Sequence, residues 1–197
     1  MAIKPILFNT EMVRAIMDGR KSCTRRMVKP QPDEKHTYPL GFVTDSTEKK
    51  EVGCFGFGIN EYGGSIQYAK PQYQPGDLLY VRETFIQAAA RTFWYKADDN
   101  LWMPKGLHWK PSIHMPKEAA RIWLKVTNVR VERLQDMADD DAEAEGCFDY
   151  TSTALGFPDV WDSTIKKSDL DSYGWNANPW VWVIEFERCE PQEGQNV

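Results

Sequence analysis

The segment 4–28, KPILFNTEMVRAIMDGRKSCTRRMV, decides the fold prediction for this chain. Its apolar start over residues 4–8 predicts a short strand, and the polar pair that follows can cap a helix over residues 9–18. Gly19 suits the left-handed backbone position that ends a helix. A second strand is predicted over residues 24–28, so the order is strand, helix, turn, strand. The predicted helix buries four apolar side chains: Met12, Val13, Ile16 and Met17.

Basic residues crowd the second half of this segment. Between residues 14 and 29 there are six basic side chains against the single acid Asp18, in a chain whose formal net charge is −5. The six are Arg14, Arg20, Lys21, Arg25, Arg26 and Lys29. Amine, guanidinium and hydroxyl groups beside a flexible glycine are typical of a site for a phosphorylated or nucleic-acid ligand.

The length and composition favour one domain over residues 1–190, with insertions at about 31–74 and 147–179 and a flexible tail over 191–197. The four cysteines have no paired short spacing, which argues against a zinc site or a disulfide framework, and we expect no cofactor. No apolar segment is long enough to span a bilayer. We therefore expect a cytoplasmic protein of a bacterial cell or a phage-infected host, without membrane contact.

The remaining pattern predicts an α+β fold. Further strands are expected over residues 78–83, 92–97, 121–131 and 180–187. The last strand is predicted to carry an apolar face made of Trp180, Trp182, Ile184 and Phe186. A bulge or corner is expected near Asn128, a short helix over 137–145, a loop or hairpin excursion over 31–74, and irregular structure over 147–179. Together these elements predict a small, curved, mostly antiparallel β-barrel with two or more short helices and long loop insertions.

Three side chains could carry chemistry. Lys21 and Thr24 are three residues apart, so both can project to one side of a tight turn. An amine can take a proton from a hydroxyl when burial or neighbouring positive charge, such as Arg25, lowers the amine's pKa. Glu83 ends a predicted strand and would supply an acid or a base. The plainer alternative is that Lys21 and Glu83 are solvated and Thr24 is a strand residue.

The sequence resembles a known family at this point. Gly19-x-Lys21 followed by Arg26 matches the Gly-x-Lys-x-x-x-x-Arg signature of ASCH domains, which are relatives of the PUA RNA-binding fold. The likeness covers most of the chain, although both insertions exceed what a minimal ASCH domain needs. Features that look like the phage and prophage branch are residues 8–16, the turn at 75–77 leading into 81–84, and the 180–186 ending.

The resemblance implies a small barrel with a cleft beside the signature, and a function in binding RNA or a nucleotide. One bacterial branch hydrolyses the acetyl amide of N(4)-acetylcytidine, and Lys21, Thr24 and Glu83 match its catalytic positions. By this resemblance Thr24 would attack the acetyl carbonyl and Lys21 would accept its proton. Glu83 would position Lys21 or return a proton to the leaving amine.

Five further residues are expected at the substrate: Gly19, Arg25, Arg26, Phe85 and His114. Arg26 would lie near phosphate or ribose, with a structural salt bridge as the alternative. For Arg25 a surface role is favoured, and Gly19 would act by shaping the turn. Phe85 would line an apolar pocket, and His114 would reach the cleft or simply pack in its loop.

Two other function classes stay open. The same cleft would suit a module that binds RNA, DNA or a modified base without turnover, although the net acidity argues against tight, sequence-independent binding to long nucleic acid. Alternatively, the chain is a phage accessory or assembly protein that uses the acidic stretch 132–149 for protein contacts. A modified nucleoside or a short nucleic acid is the predicted partner, and the pattern identifies no protein partner.

Overall fold

The computed structural model describes residues 1–98, 106–147 and 153–191 of the chain. The strands are β1 Ile3–Leu7, β2 Cys23–Met27, β3 Tyr38–Phe42, β4 Phe55–Asn60, β5 Gly63–Ala69, β6 Leu78–Arg82, β7 Phe85–Ala89, β8 Thr92–Tyr95, β9 Trp123–Arg133 and β10 Trp180–Cys189. The helices are α1 Thr10–Met17, α2 Asp139–Ala144, α3 Thr153–Ser163 and α4 Leu170–Tyr173.

Five strands form the main sheet, in the order β1-β6-β9-β10-β2. Among the described strands of this sheet only the β1–β6 pair is parallel, so the predicted mixed α+β, mostly antiparallel architecture is confirmed. A register shift in the β9–β10 ladder leaves Thr127 without a partner, one residue from the predicted bulge. Among the described strands no pairing joins β1 to β2, so the expected closed barrel is not found there.

Strand β10 separates two apolar cores. Its alternating side chains face opposite sides of the sheet, as a pleated strand requires. Trp180, Trp182, Ile184 and Phe186 pack on the side of α1 and β4, whereas Val181 and Val183 pack on the side of α2 and α3. The apolar face predicted for the last strand is therefore confirmed.

The opening strand, helix and turn follow the sequence prediction closely. The Asn9 side chain accepts a hydrogen bond from the Met12 N–H at 2.8 Å and caps α1. Gly19 has a φ of +75°, the left-handed geometry expected after the helix. The predicted burial of Met17 is wrong, because this last residue of α1 lies at the exposed end of the helix.

The segment 31–74 is more ordered than the predicted loop or hairpin excursion. Strands β3, β4 and β5 form an antiparallel three-stranded sheet, the small sheet, and Phe55 and Phe57 on β4 are buried in the first core. Several glycines on β4 and β5 are positions of close packing. At Gly58 an added Cβ would lie 2.9 Å from the Asn60 carbonyl oxygen, a backbone atom that cannot easily move aside.

The segment 147–179 was predicted to be irregular, which is wrong for its described part. It contains α3 and α4, and α3 buries Phe157 and Trp161 in the second core. The prediction missed α3 because Pro158 lies inside it and weakens any helical pattern. None of the helices in the described ranges is long and apolar enough to cross a membrane.

Candidate functional site

Lys21 is anchored to the end of α2. It forms an isolated bridge with Glu145, and the neighbouring Ser22 N–H donates to the Ala144 carbonyl at 2.9 Å. The Lys21 ammonium donates to the Glu145 carboxylate at 2.5 Å and to the Glu145 carbonyl at 3.0 Å. Both side chains are buried, with 0% and 4% exposure. In both side-chain contacts of Lys21 with Glu145 the ammonium is the donor.

Arg25 is the centre of a buried ion-pair network. Its guanidinium lies 2.7 Å from Glu132, 3.0 Å from Asp141 and 3.4 Å from Glu145. The Glu145 carboxylate also accepts the Arg25 backbone N–H at 2.7 Å. The surface role favoured for Arg25 is therefore wrong, because three carboxylates from the acidic stretch hold it inside. Part of the acidic stretch 132–149 therefore balances the buried positive charge of Arg25.

The side chains of Thr24 and Arg25 point to opposite faces of β2, as successive residues of a strand do. Thr24 lies opposite Ile184 in the β2–β10 ladder and is 1% exposed. Within the described residues its hydroxyl has no hydrogen-bond partner. It lines a crevice of about 20 Å³, the Thr24 crevice, which is enclosed by Met12, Thr24, Arg25, Arg26, Glu145, Phe157, Val160, Trp161 and Thr164. Side chains of α3 thus form one wall of the crevice.

Glu83 belongs to a different cluster. Its carboxylate accepts two hydrogen bonds from Arg121, at 2.9 and 3.0 Å, and Arg121 in turn contacts Asp98 at 2.6 Å. Burial raises the pKa of the Glu83 carboxyl, and the Arg121 guanidinium acts in the opposite direction. The structure thus pairs Lys21 with Glu145 and Glu83 with Arg121, and no contact joins the two pairs among the described residues.

A concavity of about 220 Å³, the basic cleft, lies near the signature. It lies between the main sheet and the segment that follows β5. The residues that line it are Arg26, Met27, Lys29, Lys70, Pro71, Gln72, Tyr73, Val129, Trp182 and Ile184. Three basic side chains and two aromatic rings therefore share one opening.

The three cations of the basic cleft lack acidic partners within the described ranges, whereas most residues of the basic run have them. In the described part of the chain no carboxylate lies within ion-pair distance of Arg26, Lys29 or Lys70. The other four basic residues of the run have acidic partners: Arg14 with Glu11, Arg20 with Asp18, Lys21 with Glu145, and Arg25 with Glu132. Within the basic run, the two cations without an acidic partner among the described residues, Arg26 and Lys29, are therefore the two that line the cleft.

Arg26 is the best-positioned of these cations. It donates to the Leu7 carbonyl at 2.9 Å and lies 5.4 Å from the centre of the Phe8 ring, so its guanidinium is fixed in place. Burial lowers the pKa of Arg26, while the nearby Glu145 and Tyr73 raise it. The salt bridge considered as the alternative role of Arg26 is not found within the described residues.

The aromatic walls of the basic cleft are also fixed. The Tyr73 hydroxyl donates to the Pro5 carbonyl at 2.7 Å, and burial raises the pKa of this phenol. The Trp182 ring stacks on Phe42, with centroids 6.1 Å apart and planes inclined by 28°. Sequence reasoning assigned Trp182 to the core alone and missed Lys70 and Tyr73, whose positions depend on the placement of β5.

The other predicted substrate contacts lie outside the two cavities. Gly19 is exposed and shapes the turn before Lys21. Phe85 is buried against Met115 and Ala119 in a third apolar cluster. His114 is exposed at the end of a short 3-10 turn. None of the three lines the basic cleft or the Thr24 crevice.

No metal centre is evident in the described ranges, where no three His, Cys, Asp or Glu side chains are grouped closely enough to hold an ion. The four cysteines are free thiols. Burial is the main cause that raises the pKa of Cys23 to about 12, so this thiol on β2 is a poor nucleophile.

Comparison with known proteins gives distant structural likenesses. No protein-family model matches the chain, and no curated protein matches it. An ASCH domain from Lactobacillus crispatus JV V101 is similar, with a TM-score of 0.47 and 11% identity over 95% of this chain and 79% of that one. Hypothetical protein PH0355 is also similar, with a TM-score of 0.42 and 13% identity over 96% of this chain and 100% of that one.

Proposed function

We propose that this protein binds a nucleotide, either a modified nucleotide or part of a short nucleic acid, in the basic cleft. The observation that carries the proposal is the set of three cations without acidic partners, Arg26, Lys29 and Lys70, around a cleft walled by Tyr73 and Trp182. Unpaired cations attract phosphate, and the two rings, although only 3% and 4% exposed, give the cleft apolar walls against which a base can pack.

The size and charge of the cleft favour a small ligand. A volume of about 220 Å³ is below the roughly 300–1,000 Å³ of pockets that enclose drug-sized molecules. It suits one base or one sugar-phosphate unit. Because the net charge of the chain is −5, a long polyanion would be repelled elsewhere on the surface, whereas a short ligand at the cleft meets only its cations.

Chemical-shift mapping by NMR tests this proposal. Titration with ribonucleoside 5′-monophosphates is expected to shift the indole N–H signal of Trp182 and the backbone signals of Arg26 and Lys70. The indole of Trp175 serves as the internal control, because it packs in the second core away from the cleft. Saturable shifts confined to other regions, or no shifts at millimolar nucleotide, would refute the proposal.

Hydrolysis of an acylated cytidine is the second candidate, and the Thr24 hydroxyl favours it. This hydroxyl lacks a partner in the described residues and lines a crevice that Glu145 also lines. In this mechanism Glu145, not Glu83, is the carboxylate beside Lys21. The crevice of about 20 Å³ holds about one water molecule rather than a nucleoside, so α3 would have to move for substrate to enter.

The hydrolytic step also requires a rearrangement at Lys21. The ammonium donates to Glu145, so it must leave this carboxylate and lose a proton before it can accept one from Thr24. Thr24 could then attack the acyl carbon while Lys21 accepts its proton and passes it to the amine as the C–N bond breaks. Water would next cleave the acyl ester on Thr24, which releases the acid and restores the hydroxyl. These two requirements make binding the function that the geometry supports better.

Chromatography of N(4)-acetylcytidine incubated with the protein tests the second candidate. Deacetylation that disappears in Thr24→Ala and Glu145→Gln but persists in Glu83→Gln would support this form of the site. Deacetylation that depends on Glu83 instead would restore the assignment made from the sequence. Absence of turnover in the wild type, with nucleotide binding retained, would leave a binding module.

A further inference from the structure

We infer that the ligand is a single-stranded segment of at least two nucleotides, and that Phe42 stacks on the base next to the one in the basic cleft. This inference rests on the proposed function, because it extends the same site. It names the class of ligand as single-stranded nucleic acid rather than a free mononucleotide.

Phe42 lies next to one wall of the basic cleft without lining the cleft itself. It stacks on Trp182, which lines the cleft, and meets Phe55 edge-on with ring centroids 5.2 Å apart. Despite these two contacts Phe42 is 38% exposed. A base that leaves the cleft past Trp182 would therefore meet an accessible aromatic ring.

The backbone of β3 is shaped to place Phe42 there. The β3–β4 register shifts between Pro39 and Gly41, and Gly41 has a φ of +101°, which side chains other than glycine rarely adopt. After this bulge Phe42 lies opposite Phe55 and shares its core-facing side. Without the bulge the alternation of the strand would turn Phe42 to the other face of the small sheet.

Fixed aromatic rings favour stacking because little conformational entropy is lost on binding. Phe42 already has two ring contacts, and the Trp182 ring on which it stacks lines the cleft together with the unpaired cations Arg26 and Lys29. A phosphate that links two nucleotides would carry its charge between these cations and the ring. Base stacking of this kind requires unstacked bases, so a duplex would not bind in the same way.

Equilibrium titration with uridine 5′-monophosphate and with the dinucleotide pUpU tests the inference, with the deoxyribose analogues run in parallel. We expect the dinucleotide to bind roughly 5- to 150-fold more tightly than the mononucleotide, as expected for one added base stack. This gain, in either sugar series, should be lost in Phe42→Ala. The readout is the ratio of the two Kd values. A substitution that weakens the binding of both ligands equally leaves this ratio unchanged.

Three variants complete the design. Phe42→Tyr keeps a ring and should keep the gain, whereas Phe42→Leu keeps apolar packing and should lose it. Tyr62→Ala removes an aromatic ring that is 88% exposed on the β4–β5 turn and should keep the gain. Thermal unfolding of each variant establishes that it is folded.

The outcomes separate this inference from the proposed function. An equal Kd for the two ligands in the wild type, or a gain that survives in Phe42→Ala and Phe42→Leu, overturns the inference while nucleotide binding stands. Failure of both ligands to bind overturns the proposed function and the inference together. A gain that disappears in Tyr62→Ala as well as in Phe42→Ala would show non-specific stacking and also overturn the inference.

Discussion

The ammonium of Lys21 lies 2.5 Å from the carboxylate of Glu145, a residue 124 positions further along the chain. The same carboxylate accepts the backbone N–H of Arg25 and thereby satisfies a donor at the edge of the main sheet. This one side chain ties the end of α2 to the start of β2. The lysine of the signature is thus an anchor in the folded chain, as well as a candidate for chemistry.

Removal of the Glu145 carboxylate should destabilise the fold strongly. Glu145→Ala leaves Lys21 buried without its counter-charge, and breaking one side of a buried pair costs about 3–5 kcal/mol. The free energy of unfolding from urea titrations measures the effect. Glu48→Ala is the matched control, because its pair with Lys50 is exposed and should change stability by less than about 1 kcal/mol. Equal effects of the two substitutions would contradict this assignment.

Asp77 predicts a pH dependence of stability. Burial acts to raise its pKa, but hydrogen bonds from Lys4, Ala2 and Gln74 together bring the pKa below its usual value. A carboxyl with a depressed folded-state pKa stabilises the protein above its unfolded pKa of about 3.9 and loses this contribution as the pH falls through the folded value.

The stability difference between wild type and Asp77→Asn should therefore be constant from about pH 8 to pH 5 and should shrink below about pH 4. Urea unfolding at a series of pH values measures it. A difference that shrinks as the pH rises instead would mean that the sign of the pKa shift is wrong.

Cys23 should resist alkylation in the folded protein. Burial raises the pKa of its thiol to about 12, so almost no thiolate exists between pH 7 and 9. Mass spectrometry after iodoacetamide treatment at pH 8 should find Cys23 unmodified in the native protein and modified in denaturant. Cys189, which is only half-buried, should react faster than Cys23 under native conditions. Labelling of Cys23 at the rate of Cys189 would contradict the closed packing around β2.

Local features of the fold could be predicted because local chemistry determines them. The cap at Asn9 and the left-handed turn at Gly19 depend on neighbours within a few residues. The alternation of Trp182 with Val183 on β10 likewise follows from the period of a strand. These features were confirmed as predicted.

The site was harder to predict because long-range pairing determines it. Lys21 and Glu83 are residue types that can carry out acid–base chemistry, and both lie where the sequence predicts the end of an element. In the fold, however, the end of α2 brings Glu145 to Lys21, and the segment just before β9 brings Arg121 to Glu83. Nothing near Arg26 in the sequence indicates that Lys70 will share its cleft. Lys70 directly follows β5, so the position of the small sheet brings it to the cleft. The glycine-rich sequence of β4 and β5 did not predict this sheet.

The most direct test of the central claim compares Arg26 with Arg20. Both belong to the basic run, but Arg26 has no acidic partner in the described part of the chain, whereas Arg20 pairs with Asp18 at 2.8 Å. The measurement is the Kd for a ribonucleoside 5′-monophosphate in wild type, Arg26→Ala and Arg20→Ala, by calorimetry at two salt concentrations. Loss of a charged hydrogen bond should weaken binding about 10- to 150-fold in Arg26→Ala and should reduce the salt dependence, with Arg20→Ala close to wild type. Wild-type affinity in Arg26→Ala would contradict the claim that the basic cleft binds the nucleotide.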